Sequence, residues 1–262
     1  MPLRASGPGT TKSLLPRFKI HWLALLSMII AGLQKTTLID YPGKIACVVF
    51  LAGCNFRCPW CYSSELVLPL KIVKQPRITE QEFFDFLRQR KGLLEGVVLC
   101  GGEPTINKEL PQFIEKIKNL GFAVKLDTNG SNPEILKNLV QRNLVDYVAM
   151  DIKTSQKAIY DNLMTEGITL DKIKESAEFL KKGTIDFEFR TTVVNTVHTK
   201  EDFQEIAKWI GGPNVKYYLQ NFRPEKTIDP AFEKIQPFKT VFLEEVAKEI
   251  SLHFKLVQVR NS

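Results

Sequence analysis

The chain has few of the residues that form disulfide frameworks or structural zinc sites. Only five cysteines and three histidines occur in 262 residues. An odd number of cysteines in a chain of this length argues against a disulfide framework. A structural zinc site takes four protein ligands, usually in two Cys or His pairs. The histidines, His21, His198 and His253, are remote in sequence from the one cysteine-rich stretch, so neither kind of site is favoured.

The sequence also lacks basic runs and long hydrophobic segments. Net charge is +7 at pH 7, from 36 Lys and Arg against 29 Asp and Glu, and such a balance can indicate nucleic acid or an acidic partner. Here the basic residues are interleaved with acidic ones, which is typical of a solvated surface. An apolar run at residues 22–31 is too short to span a membrane. We therefore expect neither a nucleic-acid nor a membrane partner.

No linker or low-complexity segment divides the chain after residue 27. With 44% hydrophobic and 25% charged residues, residues 28–262 have the composition of one globular domain. Residues 1–27 are basic and then apolar, which superficially imitates a secretory signal. We interpret them as an appendage, expected to be disordered, with Met28 as the biological start, because residues 29–31 can open a first strand.

Three of the five cysteines lie in one short stretch. Cys54, Cys58 and Cys61 have the spacing Cys-x3-Cys-x2-Cys, close enough for three thiolates to converge on one metal centre. Four-iron clusters are normally held by four cysteines, but Cys47 and Cys100 lie in apolar runs that predict strands. A [4Fe–4S] cluster here would keep one iron open for a non-protein ligand. Thiols that must stay reduced favour a cytoplasmic location.

The rest of the sequence alternates predicted strands and helices. Continuous apolar runs are typical of buried parallel strands, and a capping box at residues 79–82 predicts a helix start. Asn132-Pro133 predicts another, with a cap and an N1 proline. About six βα units indicate an α/β fold, a parallel sheet covered by helices, with fewer units than a closed eight-fold barrel. The predicted strands are 45–51, 96–100, 122–126, 145–150, 187–194 and 215–221, with 254–259 as a strand or tail, and the predicted helices are 79–91, 108–119, one from 132, 170–182, 199–210 and 239–250.

Polar residues directly follow several predicted strands, where parallel α/β folds bind ligands. Gly101 and Gly102 would let the backbone approach a ligand closely, and Glu103 adds an acceptor for a cationic group. Gly-Gly alone is more often a turn. The next two strands are followed by the polar segments 127–130 (Asp-Thr-Asn-Gly), itself typical of a turn, and 151–153 (Asp-Ile-Lys).

Arg190 and His198 belong to a later strand and the residues after it. Arg190 lies in mid-strand among apolar residues, so it is not expected to be buried without a partner. A structural ion pair and a ligand contact both remain open for it. His198 precedes a predicted helix cap, where a lone histidine is more often a neighbour of the cap than a ligand.

The cysteine loop, with Trp60 directly before the last cysteine, resembles the signature loop of radical S-adenosylmethionine (SAM) enzymes. Residues 32–44 (Gly-Leu-Gln-Lys-Thr-Thr-Leu-Ile-Asp-Tyr-Pro-Gly-Lys) resemble activating proteins of the anaerobic ribonucleoside-triphosphate reductase. The resemblance runs from about Met28 to the C-terminus. It implies an open, partial (βα)6 TIM-like barrel, which periodicity alone does not separate from a doubly wound sheet.

The resemblance also implies roles for the residues after the strands. The Gly-Gly-Glu-Pro segment would bind the methionyl amino group of SAM, and the lysine of Asp-Ile-Lys, with nearby polar groups, its carboxylate or ribose. Hard oxygen ligands of Asp127, Thr128, Met150 and Asp151 would suit a monovalent cation. The residues expected to bind SAM are Trp60 (beside the adenine, or else in the core), Gly101, Gly102, Glu103, Pro104, Asp127, Asn129, Asp151, Lys153, Arg190 (carboxylate or ribose) and His198 (near adenosine).

The chemistry implied by the resemblance is one-electron reduction of SAM at the cluster, whose open iron the methionine amino and carboxylate groups chelate. Reduced flavodoxin or ferredoxin would supply the electron. The resulting 5′-deoxyadenosyl radical would abstract hydrogen from a glycine of the reductase. Reactivity belongs to the cofactors, so no side chain is expected to act as catalytic acid or base.

Three alternatives remain open from the sequence. The protein could activate another glycyl radical enzyme, act on a small molecule by radical SAM chemistry, or be a non-catalytic iron–sulfur electron carrier or sensor. The polar groups after the strands argue against a carrier, which has no need to bind SAM. Only two cysteines lie outside the loop, too few for an inserted ferredoxin-like domain or an auxiliary cluster.

Overall fold

The residues that the structure describes form one eight-stranded sheet with helices on its outer face. The computed structural model describes residues 28–183 and 185–260, so the expectations for residues 1–27 lie outside the described residues. The strands are β1 (Ile30–Thr37), β2 (Ala46–Leu51), β3 (Gly96–Gly101), β4 (Ala123–Thr128), β5 (Tyr147–Asp151), β6 (Asp186–Val193), β7 (Gly212–Asn221) and β8 (Phe254–Arg260), and the α-helices are α1 (Ser64–Val67), α2 (Pro69–Ile72), α3 (Glu80–Gln89), α4 (Leu110–Asn119), α5 (Pro133–Gln141), α6 (Lys157–Leu163), α7 (Leu170–Lys182), α8 (Lys200–Ile210) and α9 (Thr240–Ile250).

The strands lie in the sheet in their order along the chain. β1 pairs antiparallel with β2, and every later neighbouring pair, from β2 to β8, is parallel. Within the described residues β1 and β8 form the two edges, so the sheet is open. The expected α/β architecture with a parallel sheet and outer helices is confirmed. The C-terminal segment, left open as strand or tail, is a strand that adds one parallel member to the six predicted.

The two faces of the sheet have different roles because successive strand residues point to opposite sides. Residues such as Leu51, Leu99 and Leu126 belong to the large core that the helices cover. Their neighbours on the other face, among them Val48 and Tyr147, form a smaller apolar group at the amino ends of the strands. Nearer the carboxyl ends, the inner face becomes polar.

The residues that precede α3 and α5 differ in how their side chains form hydrogen bonds. Thr79 Oγ1 accepts a hydrogen bond from the Glu82 backbone N–H at 3.1 Å, and the Glu82 carboxylate accepts one from the Thr79 N–H at 2.7 Å, so the predicted capping box is present. Asn132 precedes α5 as predicted, but its side chain makes no cap bond. Its amide donates instead to Thr105 Oγ1 at 2.9 Å, which ties α5 to the loop after β3.

Some elements were not predicted from the sequence. The short helices α1 and α2 follow the cysteine loop, and α6 follows β5. α6 begins with a polar residue and spans only seven positions, too few for a clear helical period. Among the residues that the structure describes, no helix combines the length and the apolar character that a membrane crossing requires.

Candidate active site

The carboxyl ends of the parallel strands open onto one cavity of about 240 Å³. Loops after β2 to β5 and the inner face of β6 contribute its walls, which is where this fold class places ligands. Nearly all residues singled out in the sequence meet there. They are Cys54, Cys58, Trp60, Cys61, Gly101, Gly102, Glu103, Asp127, Thr128, Asn129, Asp151, Lys153 and Arg190.

The cysteine loop is held by its own main chain and by the end of α6. The guanidinium of Arg57 donates to the carbonyl oxygens of Cys54 at 2.7 Å and Phe56 at 2.8 Å. The Arg57 backbone N–H donates to the Leu163 carbonyl at 2.8 Å. The amide of Asn55 donates to Ser131 Oγ at 2.8 Å, which connects the loop to the segment after β4.

Burial of the three thiols sets their protonation. It raises the pKa of Cys54 and of Cys58 to about 12, and it also raises the pKa of Cys61. The thiols are therefore protonated at neutral pH unless a metal centre displaces the protons, as coordination does. In residues 28–183 and 185–260, no group of three or more His, Cys, Asp or Glu side chains could hold a metal ion as arranged. Three cysteines on one cavity fit a cluster in which each thiolate takes a different iron.

The other two cysteines are placed differently from each other. Cys47 is fully buried in the core under the helices, whereas Cys100 faces the cavity with the three loop cysteines. Desolvation by burial raises the pKa of both thiols. Sequence spacing alone did not reveal that Cys100 shares the cavity, because only the register of β3 turns it inward.

Gly101 and Gly102 hold the end of β3 against the cysteine loop. A Cβ atom on Gly102 would lie 1.9 Å from the Gly53 carbonyl oxygen, and one on Gly101 would lie 2.4 Å from the Leu51 oxygen. The Glu103 N–H donates to the same Gly53 oxygen at 2.7 Å. The close approach that these glycines permit is thus to protein backbone, and it places the two ligand-facing loops side by side.

Glu103 is a buried carboxylate with several donors around it. It accepts from the hydroxyls of Thr105 at 2.6 Å and Thr128 at 2.7 Å, and from the backbone N–H groups of Thr105 at 3.1 Å and Asn129 at 2.6 Å. Burial raises its pKa even though these bonds favour the charged form. Glu103 therefore joins the end of β3 to the end of β4 while lining the cavity.

Five charged side chains form a continuous chain across β4, β5 and β6. Arg190 donates to Asp127 at 2.8 Å and to Asp151 at 2.9 Å. Lys125 donates to the second oxygen of Asp127, and Lys153 to the second oxygen of Asp151 at 3.0 Å. Of the two possibilities left open for Arg190, the ion pair is therefore present.

The pairing sets the charge state of the two aspartates. Burial acts to raise the pKa of Asp151, but the charges of Arg190 and Lys153 outweigh it and lower the pKa to about 2. Burial likewise acts to raise the pKa of Asp127, but the charges of Arg190 and Lys125 outweigh it and lower that pKa. Both carboxylates are thus already balanced by protein cations. A monovalent cation at Asp127, Thr128, Met150 and Asp151 stays a prediction. Met150 is fully buried, and the Thr128 hydroxyl already donates a hydrogen bond to Glu103.

A segment after β7 covers the outer side of the cysteine loop. The N–H groups of Ile228 and Asp229 donate to the carbonyls of Cys61 at 3.1 Å and Pro59 at 2.9 Å. Trp60, 5% exposed, lies with its ring centroid 6.0 Å from that of Phe232 in the same segment. Trp60 therefore combines core packing with a place on the cavity wall.

Pro104 and His198 do not line the cavity. Pro104 begins a short 3₁₀ helix after Glu103. His198 is 2% exposed: its Nδ1 accepts from the Val194 N–H at 3.0 Å, and its Nε2 lies 2.8 Å from the Lys153 carbonyl oxygen. Both ring nitrogens are therefore engaged within the protein.

Sequence reasoning missed Lys125, Asn55 and Tyr160. Lys125 is 2% exposed in a strand of apolar neighbours, the same signal that singled out Arg190, and that signal could have found it. Asn55 accepts from the Asn129 amide at 2.9 Å, and the Tyr160 hydroxyl accepts from the Lys153 N–H at 2.8 Å. The first contact joins residues 74 positions apart, and the second joins a loop to a helix too short for a clear period, so neither has a local signal.

Comparisons with known proteins agree with this geometry. Residues 48–210 match the family described as the radical SAM superfamily. A candidate glycyl-radical enzyme activating enzyme of Methanocaldococcus jannaschii is 32% identical over 242 residues, 90% of this chain and 97% of that protein. The 7-carboxy-7-deazaguanine synthase of Thermococcus kodakarensis is 30% identical over 185 residues, 64% of this chain and 69% of that protein. The solved structure of Streptococcus suis SuiB has a TM-score of 0.59 at 14% identity and shares the fold, over 80% of this chain and about half (47%) of the SuiB chain.

The chain belongs to the radical SAM superfamily and is an enzyme. Members of this superfamily use a [4Fe–4S] cluster and SAM, and the three thiols and the polar cavity wall described above fit both. The alternative of a non-catalytic electron carrier is therefore set aside. Which substrate receives the radical is a narrower question.

Proposed function

We propose that this enzyme activates a glycyl radical enzyme, specifically the anaerobic ribonucleoside-triphosphate reductase. The observation that carries the proposal is the 32% identity to a candidate glycyl-radical enzyme activating enzyme over 97% of that protein's length. An identity that spans 90% of this chain supports a shared use of the site, beyond a shared cofactor. The resemblance of residues 32–44 to reductase activators narrows the proposal to this target.

In this proposal Cys54, Cys58 and Cys61 hold the cluster and leave one iron for SAM. When bound, the cluster supplies the electron that cleaves SAM to methionine and a 5′-deoxyadenosyl radical. The protein orients SAM and keeps water away from the reacting groups. No side chain exchanges a proton with SAM in these roles, so none is assigned as a catalytic acid or base.

Different residues of the polar cavity wall would recognise different groups of SAM. The loop at residues 101–104, with Glu103 fixed by its four donors, would face the methionyl amino group, and Asn129 lies beside it. Lys153 would face the carboxylate or ribose, and Trp60 the adenine. Asp127, Asp151 and Arg190 line the same cavity and are paired with one another. Together with Lys125 and Lys153 they carry a net positive charge, which suits an anionic group of the ligand.

The proposed partners follow from this chemistry. The electron would come from reduced flavodoxin or ferredoxin, and the radical would pass to a glycine of the reductase, in the cytoplasm. A second candidate is a radical reaction on a small molecule. It is favoured by the 30% identity to a 7-carboxy-7-deazaguanine synthase, a similarity that covers less of this chain.

The decisive experiment is electron paramagnetic resonance of the reductase after activation. The cluster-loaded enzyme is mixed anaerobically with SAM, reduced flavodoxin and the anaerobic reductase from the same source. A protein-centred doublet is expected, because the unpaired electron couples to the remaining glycine Cα hydrogen. A reductase variant with that glycine replaced by alanine is the control. SAM cleavage without any reductase radical would refute this target and move the assignment to the second candidate.

A further inference from the structure

The residue after β5 that approaches the cluster loop, Lys153, is fixed through its main chain from both sides. Its N–H donates to the Tyr160 hydroxyl at 2.8 Å. Its carbonyl oxygen lies 2.8 Å from Nε2 of His198. Tyr160 is fully buried and His198 nearly so, so neither contact competes with bulk water.

The hydrogen-bond pattern defines the state of the His198 ring. Nδ1 accepts from the Val194 N–H at 3.0 Å, so Nδ1 carries no proton. The proton of the neutral ring is therefore on Nε2, which must donate to the Lys153 carbonyl. Burial lowers the pKa of His198, in agreement with a neutral ring held in one tautomer.

The Lys153 side chain reaches toward the cluster loop from this fixed backbone. Its ammonium lies 3.0 Å from Asp151. Lys153 lines the same cavity as Cys58 and Cys61. The Lys153 peptide fixes the Cα from which this side chain extends, so a rotation of that peptide would shift the ammonium relative to Asp151 and the cavity.

We infer that His198 is a positioning residue for SAM binding, which acts by holding the carbonyl of Lys153 through Nε2–H and does not touch SAM. This inference rests on the proposed contact between Lys153 and SAM, and it holds whichever substrate receives the radical. It assigns to His198 a role different from the adenosine contact that the family resemblance implies. Tyr160 holds the other side of the same residue.

The test is a double-mutant cycle on SAM affinity, measured by equilibrium dialysis against the cluster-loaded, unreduced enzyme, in which no SAM is cleaved. His198→Ala is expected to weaken SAM binding about tenfold when Lys153 is present, the effect of one lost buried hydrogen bond. In a Lys153→Met background the same change is expected to alter affinity by less than about twofold, because the side chain that His198 positions is gone.

Two further variants and one control keep the test decisive. His198→Gln retains a donor and an acceptor and is expected to restore affinity to within about threefold of the parent. Tyr160→Phe is expected to weaken binding only while Lys153 is present, which serves if His198→Ala fails to fold. His253→Ala, the same change at an exposed histidine, is the matched control and is expected to have no effect.

Each outcome decides the inference. An equal loss of affinity in both Lys153 backgrounds would mean that His198 contacts SAM directly, and would overturn it. No loss in either background, or a His198→Gln variant as weak as His198→Ala, would also overturn it. Thermal unfolding and iron content of each variant separate a change in SAM contact from a change in folding.

Discussion

The guanidinium of Arg190 on β6 donates to the carboxylate of Asp127 on β4 at 2.8 Å, across the intervening strand β5. Asp151, on that strand, accepts from the same guanidinium. One arginine thus connects the inner faces of three parallel strands at the ends that carry the ligand-facing loops. The arrangement ties the stability of the sheet to the geometry of the site.

Removing this connection should be costly. Arg190→Met leaves Asp127 and Asp151 mostly buried with one partner fewer, and we expect the free energy of unfolding to fall by about 3 kcal/mol. Urea unfolding measures it. Arg88→Met is the matched control, since Arg88 and Asp85 are each about half exposed and such surface pairs contribute less than about 1 kcal/mol. Equal losses in the two variants would contradict the role of Arg190.

The same charge network should make the free energy of unfolding depend on pH in the acidic range. The pKa of Asp151 is lowered to about 2, so its pairing stabilises the protein above the unfolded value near 4 and is lost as pH falls through 2. Wild-type stability should therefore decline as pH falls from about 4, as the unfolded state takes up protons. In Arg190→Met the aspartate pKa values rise and the slope should be smaller. Urea unfolding between pH 7 and pH 3 compares them, and identical slopes would count against the pairing.

The choice of cluster ligands can be tested within a single cavity. Cys58→Ala should abolish cluster binding, whereas Cys100→Ala should keep it, although Cys100 faces the same cavity. Anaerobic reconstitution followed by iron and sulfide analysis gives the result. Equal iron loss in both variants would show that Cys100 is a ligand and that the loop does not act alone.

The contact between the two ligand-facing loops predicts a steric effect. Gly102→Ala would place a Cβ 1.9 Å from the Gly53 oxygen, so the cysteine loop must move and reconstituted iron should fall to less than about half. Gly92→Ala has no atom within 4 Å of its Cβ. It should cost only the strain of a left-handed backbone, about 1 kcal/mol, with normal iron content. Normal iron in Gly102→Ala would refute the proposed packing.

The sequence predicted the elements near strong local patterns. Buried strands are continuous apolar runs, and the residues after them share an edge in any parallel sheet. These patterns therefore predict a cavity at this edge. The capping box at Thr79 is likewise a local pattern with a local result.

Pairings over long sequence distances could not be predicted. Arg190 could have found either a protein carboxylate or a ligand, because its position in an apolar strand shows only that it needs a partner. His198 contacts the carbonyl of Lys153 in the loop after β5, and Tyr160 of α6 holds the N–H of the same residue. The segment at residues 222–239 lacks a periodic pattern, yet it covers the cysteine loop through Ile228 and Asp229.

The most direct test of the account is an anaerobic assay of 5′-deoxyadenosine. The reconstituted enzyme receives SAM and dithionite, with and without the anaerobic reductase, and Cys58→Ala is the matched control. We expect 5′-deoxyadenosine from the wild type, none from Cys58→Ala, and a reductase radical formed in step with the product. A full cluster that forms no 5′-deoxyadenosine under reducing conditions, even with the reductase present, would contradict the account.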